Sequence, residues 1–197
     1  MWTDIELQVG LALAAILKAD NPASVALFLA IRTSPMRRAA LSAVARRLLT
    51  GDDLNAFEAL LLVYQRLEKQ RNALAHGVFG YSMAIPDALL WDSIENHADF
   101  LINVYLAEYR GAPLPDPHEK LRKNMFVYRR SDLEELLGQL TELQKAAFYF
   151  HARHQPRPMT HDYLKDILSL PLIRDALHSL NYSADERSRP PPKVSTF

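Results

Sequence analysis

Apolar residues recur at steps of three and four along nearly the whole chain, which is the spacing that places them on one face of a helix. Proline, glycine and small capping residues mark where each run begins and ends. The pattern predicts helices over about Thr3–Asp20, Pro22–Arg32, Pro35–Leu49, Asp53–His76, Asp87–Arg110, Asp132–Arg153 and 160–170. No segment alternates between apolar and polar residues, so we expect an all-α fold, an antiparallel helical bundle with extra helices at both ends.

The breaks between these helices suggest how the chain is organised. Residues 77–86 read as a loop, and Gly111–Pro117, with three prolines, is the clearest linker. We therefore expect a bundle core over 1–110 and a helical extension over 111–181. Residues 182–197, with Pro190, Pro191 and Pro192, are expected to form a disordered tail.

The side chains along one face of the predicted fourth helix change from apolar to charged. One face carries an apolar stripe at steps of three and four, formed by Leu54, Phe57, Leu61 and Tyr64. The same steps continue to Glu68 and Arg71, and Asn72 and His76 lie beside these two residues. Charge on a core-facing stripe is costly unless it is paired, so these residues suggest a shared polar site. A long helix that extends past its core, with Glu68 paired locally and His76 favouring the helix dipole, would give the same pattern.

The string Arg71-Asn72-Ala73-Leu74-Ala75-His76-Gly77 resembles the R-N-x-x-x-H motif of HEPN domains. That family consists of helical bundles, many of them metal-independent ribonucleases, with the motif near the end of a long helix. The resemblance implies that Arg71 and His76 are catalytic and that Asn72 is the polar residue that follows the arginine. Glu68 matches an acidic helper more loosely. The likeness covers roughly residues 53–110.

These residue types suit RNA cleavage by the substrate's own 2′-hydroxyl. Histidine titrates near neutral pH and can exchange a proton, while arginine grips phosphate oxygens and stabilises negative charge, so neither a metal nor a cofactor is needed. Residues five apart lie about 140° apart around a helix. Arg71 and His76 would therefore meet by long reach, by unwinding near Gly77, or across a homodimer, as is typical of HEPN ribonucleases.

The composition of the chain indicates which compartment it suits and how strongly it would bind nucleic acid. Lysine plus arginine equals aspartate plus glutamate at 23 each, so strong non-specific affinity for nucleic acid is not expected. The chain contains no cysteine, which fits a reducing cytoplasm. No apolar run approaches the roughly 20 residues of a membrane-spanning helix. We expect a cytoplasmic protein that does not enter membranes.

Other candidate sites are weaker. His151, His154 and His161 do not follow a metal-ligand spacing, and a solvated helix end is the simpler interpretation. Two groups of basic residues could contact RNA or could be ordinary surface. The first consists of Arg37, Arg38, Arg46 and Arg47, and the second, in which Phe126 and Tyr128 are interleaved, consists of Arg122, Lys123, Arg129 and Arg130.

The leading hypothesis is an endoribonuclease of the toxin or antiviral-defence kind that acts on RNA as a homodimer and has a cognate antitoxin or partner protein. The first alternative is a catalytically inactive HEPN-like module that binds nucleotide, RNA or a partner protein. The second is a helical scaffold without a site.

Overall fold

The computed structural model describes residues 1–83, 85–111, 125–156 and 160–188, with only the backbone given for 183–188. These residues form eight helices and three short strands. In chain order they are α1 (Trp2–Leu17), α2 (Asn21–Ala30), α3 (Ser34–Leu48), α4 (Gly51–Ala75), β1 (Gly77–Tyr81), β2 (Ala88–Ser93), α5 (Ile94–Arg110), β3 (Phe126–Arg129), α6 (Arg130–Arg153), α7 (Tyr163–Ser169) and α8 (Pro171–Ser188). The fold is therefore mostly α, with a small sheet. None of the described helices is long and apolar enough to cross a membrane.

Contacts between residues divide the chain into two units. The first unit contains Met1–Arg66 and the chain from Gln139 onward, and the second contains Leu67–Gly138. This division differs from the one predicted at residue 110, because the chain after 138 groups with the first helices. The predicted linker falls almost wholly outside the described residues; its first residue, Gly111, ends α5 at a left-handed φ of 61°.

The first unit holds nearly all of the described hydrophobic core. Phe57 on α4 and Phe150 on α6 are fully buried, and their ring centroids lie 4.7 Å apart. Trp2 on α1 stacks on Tyr64 of α4 at 5.2 Å. These apolar faces at helical spacing are what the sequence pattern predicts.

The second unit contains the sheet, which corrects the all-α prediction. Its strands are antiparallel in the order β1-β2-β3. The predicted loop over 77–86 is partly β1, and the predicted helix over Asp87–Arg110 begins only at Ile94 because Ala88–Ser93 form β2. Short apolar runs such as Ala88–Trp91 cannot be assigned by periodicity alone, and the pairing that selects the strand is non-local.

The end of the chain also differs from the sequence prediction. Helix α8 continues past Tyr182 to Ser188, where the composition predicts a disordered tail. Residues 189–197 lie outside the described residues. The prediction of a disordered tail over 182–197 is therefore wrong for residues 182–188, whose backbone is helical.

Candidate functional site

The apolar stripe of α4 ends where the sequence predicts. Phe57, Leu61 and Tyr64 are all buried, and burial continues to Leu67 and Glu68. Beyond Glu68 every residue of α4 is exposed or half-buried. Of the four predicted site residues, Glu68 alone is buried, at 9% exposed, whereas Arg71 and His76 are exposed.

Asn72 connects the other two residues of the motif. Its side-chain oxygen, Oδ1, accepts a hydrogen bond from Nη1 of Arg71 at 2.9 Å. Its backbone oxygen accepts one from the backbone N–H of His76 at 3.1 Å. Asn72 therefore orients the guanidinium and carries the last helical hydrogen bond to the residue that bears the imidazole.

The Arg71 and His76 side chains are not bonded to each other within the described chain. Arg71 lies inside α4, while His76 is one residue beyond the helix end at Ala75. Both side chains remain accessible to a ligand, which suits residues that would contact a phosphate. One chain therefore joins the side chains of Arg71 and Asn72 by a hydrogen bond and forms none between Arg71 and His76.

Gly77 is required by packing and not by a left-handed helix cap. It is not among the residues with positive φ, and it is the first residue of β1. The Trp91 indole lies directly over it, and a Cβ built at Gly77 would be 1.6 Å from Nε1 of Trp91. Gly77 is the second residue after the end of α4 at Ala75 and so occupies the C′ position, but close approach of the indole, and not a left-handed φ, explains the glycine there.

This contact gives the first testable prediction. We expect Gly77→Ala to destabilise the protein by about 1–3 kcal/mol, because the added methyl group must displace the Trp91 ring. Urea unfolding followed by circular dichroism measures the effect. Gly138→Ala is the matched control: it lies within α6 with open space around its Cα, so the same methyl should be neutral or slightly stabilising. Equal effects at the two glycines would contradict the packing explanation.

Two buried polar groups lie just after the motif in the sheet, and sequence reasoning missed both. Asp92 is 3% exposed, and neither of its carboxylate oxygens has a hydrogen-bond partner within the described residues. The Trp91 indole N–H likewise lacks an acceptor there. Asp92 pairs with Val78, two residues after His76. Unpaired buried groups are costly and are often found at functional sites.

His151 and His154 are half-buried in the first unit, which differs from the solvated helix end expected from the sequence. Burial lowers the pKa of His154 below its usual value; Asp53, 3.8 Å from its Nε2, opposes the shift and Arg153 adds to it. Burial also lowers the pKa of His151. His161 contacts Asp166. Among the residues described, no group of three or more His, Asp or Glu side chains could hold a metal ion.

One arginine of each basic pair on α3 forms an ion pair with another helix of the first unit. Arg37 donates to Glu6 at 2.6 Å and to the backbone oxygen of Ile31, and its guanidinium lies over the Phe28 ring. Arg46 pairs with Glu58 at 2.8 Å. These contacts tie α3 to neighbouring helices of the first unit.

Comparison with known proteins returns no match to a family model, to a curated protein or to a solved structure.

Proposed function

We propose that this protein is a metal-independent endoribonuclease of the HEPN type, with Arg71 and His76 as its catalytic residues. The observation that carries the proposal is the accessible arginine and histidine at the end of α4, with Asn72 bonded to the guanidinium. An exposed guanidinium and an exposed imidazole can both reach a phosphate of a bound RNA, which supports the roles that the resemblance of the motif implies.

The two side chains can divide the reaction between them. The 2′-hydroxyl of the substrate attacks the adjacent phosphorus, its proton passes to a base, and the 5′-oxygen leaves with a proton from an acid. His76 can act as the base or as the acid, with water in the other role. Arg71 stabilises the charge on the phosphorane oxygens. The products are a 2′,3′-cyclic phosphate and a 5′-hydroxyl.

A homodimer completes this proposal because no bond joins the Arg71 and His76 side chains within one described chain. The second unit has little core of its own: among its described residues only Leu67, Glu68 and Asp92 are buried. Helix α5 has no buried residue, yet it bears a row of large exposed apolar side chains: Ile94, Leu101, Ile102, Tyr105, Leu106 and Tyr109. Such exposed apolar rows mark interaction surfaces, and a two-fold pairing would cover the same row on both copies.

A glutamate introduced among the exposed apolar residues of α5 tests the proposed dimer. We expect wild type to sediment as a dimer at micromolar concentration and Ile102→Glu to sediment as a monomer, because an unpaired carboxylate would be buried at the interface. Leu27→Glu is the matched control, since Leu27 is similarly exposed but lies on α2 in the first unit. A wild-type monomer, or a dimer insensitive to Ile102→Glu, would contradict this arrangement.

The activity is tested with purified protein and single-stranded RNA in the presence of a chelator. Cleavage that persists in the chelator and leaves 2′,3′-cyclic phosphate ends supports the proposal. Folded protein that binds RNA without cutting it would favour the catalytically inactive module. Protein that does neither would favour a scaffold.

A further inference from the structure

One face of the sheet carries all five aromatic side chains of the three strands. Because side chains alternate between the faces of a strand, cross-strand partners share a face. The register places Phe79, Trp91 and Phe126 opposite one another in one row. The next row on the same face contains Tyr81, Leu89 and Tyr128. These six residues form the aromatic face of the sheet.

Three of the five rings of the aromatic face are exposed within the described chain, and the other two, Trp91 and Tyr128, are half-buried. Tyr81 is 83% exposed, Phe126 60% and Phe79 47%. Trp91 and Phe126 lie 5.5 Å apart in a tilted arrangement. Large rings held on a rigid sheet and left open to solvent indicate a binding surface.

The second row, Tyr81, Leu89 and Tyr128, lines a groove of about 520 Å³. Residues of the connection between β1 and β2, among them Ile85 and Pro86, also line it. Two charged residues also line the groove, Asp87 and Arg130. Asp87 has a left-handed φ of 57°, a backbone conformation that few residues other than glycine adopt and that a well-determined turn must hold.

The charges in the groove match those of a nucleotide. A guanidinium can bind a phosphate, and a carboxylate can accept hydrogen bonds from the N–H groups of a base. Arg130 is paired with Glu134 at 2.7 Å, but both side chains are well exposed. Such surface pairs contribute at most about 1 kcal/mol and can exchange for a phosphate.

The aromatic face is also continuous with the motif along the chain. The Trp91 ring of the first row covers Gly77, which directly follows His76. A strand of RNA whose phosphate lies at His76 can therefore place neighbouring bases on the rings of β1 and β2.

We propose that the aromatic face binds the bases of single-stranded RNA by stacking, with Arg130 on a phosphate and Tyr81 and Tyr128 as the principal stacking residues. This inference rests on the proposed ribonuclease function, for which it names an unpaired, single-stranded substrate. Stacking on aromatic side chains suits this class because every base has a flat face, so binding does not require a strongly basic surface.

The test measures binding of a fluorescein-labelled oligoadenylate of about ten nucleotides, within the usual range of single-stranded binding sites, by fluorescence anisotropy. All variants are made in a His76→Ala background so that the probe stays intact. We expect Tyr81→Ala and Tyr128→Ala each to weaken binding by about 5- to 100-fold, the range for losing one base–aromatic stack. Tyr182→Ala, an exposed tyrosine of the first unit, is the matched control and should leave binding unchanged.

Two further variants separate stacking from general apolar contact. Tyr81→Trp keeps a flat ring and should retain binding, whereas Tyr81→Leu keeps apolar area without a ring and should lose as much as Tyr81→Ala. Retained binding in Tyr81→Leu would overturn the proposal, as would absence of oligonucleotide binding. Dissociation of a wild-type dimer by Tyr81→Ala would assign the face to a second copy and overturn it as well.

The outcomes also separate this inference from the proposed function. If the protein with His76 intact never cuts RNA but Tyr81→Ala and Tyr128→Ala abolish binding, the aromatic face is supported and the ribonuclease is not. If it cuts RNA and both tyrosine variants bind and cut normally, the ribonuclease is supported and the aromatic face is overturned.

Discussion

Replacing His76 or Arg71 with alanine is expected to lower the rate of RNA cleavage by roughly 100-fold or more. That is the scale for losing a general acid–base or a preorganised charge stabiliser. Arg71→Lys should also lose most activity, because an ammonium group cannot reproduce the two-pronged grip of a guanidinium on phosphate. The measurement is single-turnover cleavage of labelled single-stranded RNA with a chelator present.

The same experiment has a control on the same helix. Arg66 is an exposed arginine of α4 outside the motif, and Arg66→Ala should keep full activity. All variants should stay folded, because Arg71 and His76 are exposed and contribute little to the core. If His76→Ala unfolded the protein while wild type never cut RNA, the histidine would be structural and the ribonuclease proposal would be wrong.

Phe150→Ala is expected to destabilise the protein by about 3–5 kcal/mol, the usual cost of removing a fully buried phenylalanine ring. Phe150 is fully buried in α6, with the rings of Phe57 and His154 each 4.7 Å away, so truncation leaves a cavity between them. A loss of this size approaches the whole stability of many domains. Urea unfolding followed by circular dichroism measures it.

Phe148 provides the matched control two residues earlier on the same helix. Its side chain is about half exposed, so Phe148→Ala should cost much less, under about 1 kcal/mol. Similar losses for the two variants would contradict the placement of the α6 core face. The sequence alone places both phenylalanines in one apolar run, and only the orientation of α6 distinguishes them.

The helix that carries the candidate site could be predicted from the sequence because its signals are local. Steps of three and four place Phe57, Leu61 and Tyr64 on one side of α4, and all three are buried. The exposed end of that helix follows from the same stripe, since it changes from apolar to charged side chains at Glu68. Local periodicity thus predicted both the helix and the place where its burial stops.

The sheet could not be predicted in this way. Each strand has at most six residues, and a glycine interrupts β1 at Gly80, so alternation has little length over which to show. A weak signal exists in the aromatic residues spaced by two, Phe79 with Tyr81 and Phe126 with Tyr128. The strands pair through contacts between residues distant in sequence, such as Trp91 with Phe126. Such contacts cannot be predicted from either segment taken alone.

The sequence by itself determined the mostly helical character, the apolar stripe of α4, and the proximity of Arg71, Asn72 and His76 along one stretch of chain. Each depends on residues within a few helical turns of one another, and helical geometry relates such residues directly. Only the tertiary structure decided that Gly77 lies beneath Trp91, that Asp92 is buried, and that aromatic residues from three strands share one face. Those features require strand pairing across separated segments, where register decides which side chains meet.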